Sequence, residues 1–349
     1  MMKRIQQSQF LIKIVSMVML SILFIGICFV APLVAEEKPI SMTIVCECKE
    51  TDGGWGSAHW NGYQYLKKQY PELKLTYIGD VPFAENVSVV QSVGESGVDI
   101  CYISTGLFEA TQMYADRYPN TWWVMMDIYE GELAVMPDNV TTIVTKDEEG
   151  SYLAGVAAGM VTKTNKIGFI AGFEYAMHVR SEAAYIQGAR SVNPKVKLSR
   201  MFTGSWTDVQ KGYEAGRAMI DSGVDVIIAD ADAGNYGILR AAGEAGGGVY
   251  FIGKVNDRYE LAPDWIITSI LVDHRRAMEE SLRRFKEGIL KKEVVEFGLA
   301  DGWDTIAPLT NVSEEVKAKV EEAKKAIIEG KIKIPVIIDP EKLEELLKS

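Results

Sequence analysis

Short runs of β-branched and aliphatic residues alternate with longer helical patterns from Ser41 onward. The first three predicted elements are a strand over 42–46, a helix over 56–70 and a strand over 73–78. Later ones include a helix over 180–191 and a strand over 249–252. Such alternation is typical of consecutive βαβ units, whose strands form a mostly parallel sheet. The sequence therefore predicts an α/β protein whose helices cover both faces of parallel sheets.

The alternation falls into two similar halves of about 100 residues each, which predicts two doubly wound lobes. The C-terminal part reads as strand, helix, extended segment and helix, an order that lets the chain recross between the lobes. We therefore expect three crossovers and a hinge. The predicted N-terminal lobe comprises 41–145 plus about 270–296, and the C-terminal lobe comprises 146–269 plus about 297–349.

The first 35 residues differ from the rest of the chain. Lys3, Arg4 and Lys13 precede an uncharged run over 14–35, which is the pattern of an export signal. The run is also long enough to span a bilayer, so an N-terminal membrane anchor stays an alternative. Cys28 follows Ile27 where a bacterial lipobox usually has Gly or Ala, so the match to a lipid-attachment site is poor. We expect an extracytoplasmic protein at the cell surface or in the periplasm.

Composition and missing motifs exclude several classes of function. With 37 basic and 48 acidic side chains the net charge is −11, and no basic patch is visible, so nucleic acid is a poor partner. The chain has no phosphate-binding loop, no nucleophile elbow and no His-Glu-x-x-His motif. Its three histidines have no metal-ligand spacing. We predict neither an enzyme nor a metal or cofactor site, and we expect Cys46, Cys48 and Cys101 to be core residues.

Aromatic and acidic residues are concentrated just after the predicted strands. In open α/β sheets ligands bind beyond the carboxyl ends of the strands, so these segments are the place to look for a site. Aromatic faces stack on planar ligands, and ionised aspartates accept hydrogen bonds from N–H or hydroxyl groups. The pattern predicts a neutral, planar small molecule that carries hydrogen-bond donors. The predicted ligand-binding residues are Asp52, Trp55, His59, Thr105, Phe173, Trp206, Asp232 and Asp257.

A structural alternative exists for these residues. Trp55 and Trp206 could pack in the lobe cores, and the aspartates could cap helices. His59 lies four residues after Trp55 on the same helix face, so it could equally reach the ligand or pack internally. His274 stands at a predicted helix start, where we expect it to act as a cap or to face solvent.

The segment from Asp52 to Gly62 resembles the opening motif of the basic membrane lipoprotein family, the purine nucleoside receptor type of ABC-transporter substrate-binding proteins. Similar matches continue along nearly the whole chain beyond the first 40 residues, among them 149–155, 167–172, 204–208, 223–227, 253–257 and 268–270. The resemblance implies a type I periplasmic-binding-protein fold that delivers purine nucleosides or bases to a membrane permease and its ATPase. By motif position, Asp52 and Trp55 look like first-lobe contacts, Trp206 like the stacking ring of the second lobe, and Asp257 like the acidic ligand contact.

This chain departs from the better-known nucleoside receptors at three places. Gly56 stands where they commonly carry Asn, Val255 replaces the first Asp of their Val-Asp-x-Asp loop, and no Lys follows Ser269 before Asp273. The missing groups belong to ribose and base recognition in that branch. The resemblance therefore favours a free purine base such as adenine over a nucleoside.

The predicted mechanism is closure of the two lobes on a ligand held between Trp55 and Trp206, with Asp257 satisfying its polar edge. We expect a monomer that works with an ABC permease and ATPase complex. Three alternatives stay open: a protein that binds sugars or other small solutes, an enzyme that processes purine nucleosides, and a surface regulator or adhesin that works without a transporter.

Overall fold

The computed structural model describes residues 38–129, 132 and 135–349, of which 40–349 form one compact unit. The predicted export signal and Cys28 lie outside the described residues. Within the described ranges, no helix has both the length and the apolar character needed to cross a membrane.

The first lobe is built on a six-stranded parallel sheet with the order β11-β5-β4-β3-β1-β2. Its central strands are buried on both faces, which explains why they read as continuous apolar runs. Val45 at the end of β1 pairs with Ile78 and Ile103, so the residues that follow these strands meet at one edge. The strands are β1 (Ser41–Val45), β2 (Lys74–Ile78), β3 (Ile100–Ile103), β4 (Trp122–Met126), β5 (Val140–Thr145) and β11 (Glu293–Phe297).

Helices cover both faces of this sheet. Two of them, α1 (Trp55–Gln69) and α8 (His274–Lys286), pack over a core that includes Met42 and Ile44. On the other face α2 (Asn86–Glu95) and α3 (Phe108–Tyr114) pack over alternate residues of the same strands. The lobe is therefore doubly wound.

The second lobe repeats the design with a five-stranded parallel sheet in the order β10-β9-β8-β6-β7. Ala171 at the end of β6 pairs with Phe202 and Asp230, which again aligns the strand ends at one edge. The strands are β6 (Lys166–Ala171), β7 (Lys197–Phe202), β8 (Val226–Asp230), β9 (Tyr250–Val255) and β10 (Ile266–Leu271). The helices are α4 (Asp147–Val161), α5 (Ala176–Val192), α6 (Val209–Asp221), α7 (Gly234–Glu244), α9 (Glu314–Ile328) and α10 (Pro340–Lys348).

The chain passes between the two lobes three times, after Thr145, after Leu271 and after Phe297. These passages and the two parallel sheets confirm the predicted fold class. The order of the strands places β11 in the first sheet and β10 in the second.

Two element limits and two side-chain environments differ from the predictions. Helix α5 begins at Ala176 instead of Arg180. The Tyr175 backbone N–H is satisfied by Nδ1 of His178, so this helix start lacks the Ser or Asp that would mark it in the sequence. Strand β9 continues to Val255, so Lys254 is a buried strand residue. His274 is buried, which contradicts the expectation of an exposed or capping histidine. Cys48 is only half-buried, because β1 ends at Val45.

Candidate functional site

The carboxyl ends of both sheets meet where residues after β1 contact residues after β8 and β9. The Trp55 backbone N–H donates to Oδ1 of Asp232 at 3.1 Å, and Nδ2 of Asn256 donates to the Gly54 carbonyl at 3.1 Å. Both bonds join the first lobe to the second. We call this region the lobe junction.

Asp52 lies in the turn that starts α1, and its carboxylate is used by the backbone. Its two oxygens accept N–H groups from Gly54 at 2.6 Å, Gly56 at 2.8 Å and Ser57 at 3.0 Å. A carboxylate at this place satisfies N–H groups that have no partner within the helix and complements the helix dipole. The structure therefore supports the helix-start alternative for Asp52, and its role as a ligand contact stays a prediction.

Trp55 and His59 lie in the first-lobe core next to the junction. Nε1 of Trp55 donates to Oγ of Ser104 at 2.7 Å, and the indole meets the His274 ring edge-on at 4.4 Å between centroids. His59 is fully buried, and its Nδ1 is 2.9 Å from the Trp55 carbonyl. Burial alone would lower the pKa of His59, but the neighbouring Cys46 sulfur raises it to about 9. His59 therefore packs internally, which is one of its two predicted roles. A stacking role for Trp55 stays a prediction.

Glu47 is a junction residue that the sequence patterns do not single out. Its Oε1 accepts the Gly106 N–H at 3.1 Å, whereas Oε2 is buried and has no hydrogen-bond partner among the described residues. Burial, helped by the nearby Cys46 sulfur, raises the pKa of Glu47 to about 7. The one available signal was a charged residue placed directly after a buried strand.

The second lobe contributes a group of rings, the ring cluster, made of Phe173, Tyr175, His178 and Trp206. Phe173 and Tyr175 are stacked at 6.2 Å between centroids, and Trp206 lies 5.6 Å from His178. Trp206 also lies against Gly172, where a Cβ would come within 2.4 Å of the indole. Phe173 and Tyr175 are exposed on the protein surface. Partial burial first, and then the charge of Glu47 in the first lobe, raises the pKa of Tyr175. Tyr175 of the ring cluster therefore lies within electrostatic range of Glu47 in the first lobe.

Behind the ring cluster lies a buried chain of charges, the ion network. Nε2 of His178 is 3.2 Å from Oδ2 of Asp230, and Nζ of Lys254 lies 3.3 Å from Asp230 and 2.9 Å from Asp147. Arg180 pairs in turn with Asp147 and donates to the Thr145 carbonyl at 3.0 Å. Burial opposes the charge on Asp230, but Lys254 and His178 hold its pKa below the ordinary value. The network fixes His178 and ties the ring cluster to the first crossover.

The remaining predicted residues occupy different places at the junction. Thr105 is half-buried in the turn after β3. Asp232 is buried and holds the first lobe through Trp55. Asp257 is exposed, and its Oδ1 accepts the Tyr259 N–H of its own turn at 3.1 Å. Ligand contacts from these three side chains stay predictions.

Cys48, Asp52 and Asp232 are the metal-type donors that approach within 4.8 Å of one another in the described part of the chain. Both oxygens of Asp52 already accept backbone N–H groups. Two of these donors are therefore the Asp52 carboxylate at the start of α1 and the Asp232 carboxylate packed against it. Their oxygens already accept hydrogen bonds from the backbone, so few lone pairs are left to bind a cation.

Comparison with known proteins identifies relatives over most of the chain. Residues 40–337 match the model of the Bmp family, described as ABC transporter substrate-binding protein PnrA-like. The ABC transporter nucleoside-binding protein BmpA of Lactococcus lactis is 29% identical over 81% of this chain and 85% of its own length. TsgA13 of Haloferax volcanii, named as a glucose-binding protein of an ABC transporter, is also 29% identical, over 86% of this chain and 75% of its own.

A solved structure shows the same fold. The crystal structure of an ABC transporter solute-binding protein from Aeropyrum pernix K1 superposes with a TM-score of 0.79. It covers 89% of this chain and 98% of that chain at 21% sequence identity. At this identity the likeness concerns the fold alone.

Proposed function

Because the chain belongs to the Bmp family of PnrA-like ABC transporter substrate-binding proteins, we propose that it captures a purine base, adenine or a close analogue, at the lobe junction. Proteins of this family bind substrates outside the cytoplasm and are not enzymes. The bound form is then delivered to an ABC permease and its ATPase. The N-terminal segment attaches the protein to the membrane in this proposal.

The observation that carries the proposal is an exposed group of rings within electrostatic range of Glu47, whose buried Oε2 has no hydrogen-bond partner among the described residues. Phe173, Tyr175 and Trp206 offer flat apolar faces to a heterocycle. A carboxylate oxygen accepts hydrogen bonds from the ring and exocyclic N–H groups of a purine. Together these groups suit a flat ligand that carries donors on one edge.

The expected interaction energies are large enough for micromolar binding of a purine base. Stacking contributes about 1 to 3 kcal/mol per aromatic face, and a hydrogen bond to a charged group about 1.5 to 3 kcal/mol. After the cost of ordering ligand and side chains, two stacking contacts and two such bonds reach micromolar affinity, near −8 kcal/mol. In this proposal, the first-lobe side of the site is formed by Asp52 and Trp55. The polar edge of the ligand is bound by Asp257.

A base is favoured over a nucleoside by the residues that this chain lacks. Val255 is a buried residue at the end of β9, so this position offers a ribose no carboxylate. A sugar ligand is the second candidate, because the similar Haloferax volcanii protein is named for glucose binding. Sugars share the use of Trp and Asp, but they do not require a donor edge that matches Glu47.

Isothermal titration of the purified protein with adenine, adenosine and glucose tests the proposal. We expect the tightest binding with adenine. Trp206→Ala should weaken it at least about tenfold, because a stacking face is lost, and should leave the unfolding temperature of the ligand-free protein nearly unchanged.

Trp265→Ala is the matched control, since this half-buried indole precedes β10 at the opposite end of the second sheet. Its affinity for adenine should equal that of the unmodified protein. Saturation with glucose and no heat with either purine would refute the purine proposal and favour the sugar candidate. Release of free base from adenosine during the titration would favour an enzyme.

A further inference from the structure

The two hydrogen bonds across the lobe junction end on one short turn of the first lobe. The turn comprises Gly53, Gly54 and Trp55, and its partners in the second lobe are Asp232 and Asn256. The bonds connect residues 177 and 202 positions apart in the chain, so they exist only while the lobes are together.

The Gly53–Trp55 turn and Asp232 pack closely against each other. A Cβ at Gly54 would lie 1.6 Å from Oδ1 of Asp232, so any larger residue would displace the Asp232 carboxylate from its contact with this turn. Asp232 itself has a φ of +44°, a left-handed conformation that costs free energy in a residue other than glycine. Such strain persists only where the surrounding structure imposes it, which marks Asp232 as a residue set for this contact.

The charges around Asp232 make the contact sensitive to protonation. Asp52, also buried, faces it from the start of α1, and their carboxylate oxygens come within 4.8 Å of each other. Cys48 lies in the same group, Asp230 is two residues earlier at the end of β8, and Arg258 approaches from the turn after β9. Burial first, then Asp52 and Asp230, raise the pKa of Asp232 well above its ordinary value, against the opposing effects of the Trp55 N–H and Arg258.

We propose that Asp232 and Asn256 form a proton-dependent latch, which holds the lobes closed on the Gly53–Trp55 turn and takes up one proton as it closes. Protonated Asp232 keeps Oδ1 as the acceptor for Trp55 and no longer repels Asp52. This device is independent of the identity of the ligand, so it stands apart from the purine proposal.

The direction of the pH effect follows from linkage. When the lobes separate, Asp232 regains water and leaves Asp52, so its raised pKa falls toward the ordinary value, although Asp230 of the same lobe stays beside it. Closure is therefore most favourable below the ordinary pKa. Above it, the ratio of closed to open protein falls about tenfold per pH unit until the raised pKa is passed.

Small-angle X-ray scattering of the purified protein, without added ligand, tests the latch between pH 5 and pH 8.5. We expect the radius of gyration to increase with pH. Asp232→Asn keeps an acceptor for the Trp55 N–H and cannot ionise, so this variant should stay compact throughout. Gly54→Ala should be extended at every pH, because the added methyl group collides with Asp232. Asp221→Asn, at an exposed surface ion pair, should follow the unmodified protein.

Three outcomes would overturn the latch. The first is a radius that does not change with pH in the unmodified protein. The second is an Asp232→Asn variant that keeps the pH dependence of the unmodified protein. The third is a protein that becomes more compact as pH rises, which would mean that ionised Asp232 pairs with Arg258. Because no ligand is added, failure of purine binding leaves this test intact, and failure of the latch leaves purine binding intact.

Discussion

At the scale of single residues, glycines allow two side chains of the junction, Glu47 and Trp206, to lie directly on the backbone. A Cβ at Gly106 would lie 2.5 Å from the carboxyl carbon of Glu47, and one at Gly172 would press into the Trp206 indole. The backbone approaches both side chains where a larger residue would displace them. Glu47 is thereby held with Oε1 bonded to the Gly106 N–H, while Oε2 has no hydrogen-bond partner within the described part of the chain.

In the proposed function, Glu47 gives purine binding a pH dependence of its own. Its pKa is raised to about 7, so the carboxylate that accepts the ligand's N–H groups forms as pH rises through this value. Adenine affinity of the unmodified protein, divided by that of Glu47→Gln, should therefore increase between pH 6 and pH 8. Titration calorimetry at several pH values measures this ratio.

Taking the ratio removes the effect of the latch, because both proteins contain Asp232. A ratio that stays constant with pH would show that Glu47 does not contact the ligand as a carboxylate. Glu50→Gln, a substitution of a half-buried acid in the same loop, should leave the affinity unchanged at every pH.

At the scale of elements, α4 and α5 of the second lobe approach each other closely at two glycines. A Cβ at Gly155 would lie 2.1 Å from the Tyr185 carbonyl oxygen, and one at Gly188 would lie 2.0 Å from the Tyr152 carbonyl oxygen. The helices approach backbone to backbone at these places. This packing fixes α4, which follows the first crossover, against α5, which carries His178 and Arg180.

Gly188→Ala should destabilise the protein, because the added methyl group would collide with the Tyr152 backbone, which cannot move aside as a flexible side chain can. Overpacking of this kind costs about 1 to 3 kcal/mol, more than the gain of about 1 kcal/mol in helix propensity. Urea unfolding followed by circular dichroism should show a lower midpoint.

Ser191→Ala is the control, since this side chain is exposed on the same helix and bonds only within it, to the Gly188 carbonyl. Its midpoint should match that of the unmodified protein. An equal midpoint for Gly188→Ala would mean that the two helices separate at little cost.

At the scale of the whole molecule, the crossover after β5 carries buried charges from both lobes. Asp127 follows β4 of the first lobe and accepts the Thr145 N–H at 2.8 Å, and Arg180 of the second lobe lies over the Tyr129 ring at 4.0 Å. Burial raises the pKa of Asp127 to about 6 and that of Glu148 to about 7. These carboxyls ionise in the folded protein only at a cost in stability.

We therefore expect the free energy of unfolding to fall as pH rises from 5 to 7.5. A carboxyl whose pKa is raised on folding stabilises the protein below its unfolded pKa, near 4, and loses this contribution up to its folded pKa. Asp127, Glu148 and Glu47 act in this direction. Two groups act in the opposite direction: His274, whose pKa is lowered by burial and by His59, and Cys46, whose pKa is lowered, against the effect of burial, by Cys48 and His59. The raised carboxyls outnumber them, because burial also raises the pKa of Glu132 and that of Glu182 to about 7.

Urea unfolding at pH 5, 6 and 7.5 measures the trend, and Glu148→Gln should make it shallower. Glu341→Gln, at an exposed position in α10, should leave it unchanged. A free energy that increases from pH 5 to pH 7.5 would contradict the prediction.

The sequence by itself determined the fold class and the three passages between lobes, and it predicts a ligand site beyond the strand ends. These features depend on local periodicity and on the rule that ligands bind beyond strand ends, and both can be read along the chain. Only the tertiary structure decided that Asp52 is saturated by its own helix start, that Trp55 is anchored in the first-lobe core, and that Glu47 and Asp232 face the opposite lobe. The physical reason is that a side chain's hydrogen-bond partners and charge depend on groups more than a hundred residues away, brought together only when the two lobes meet.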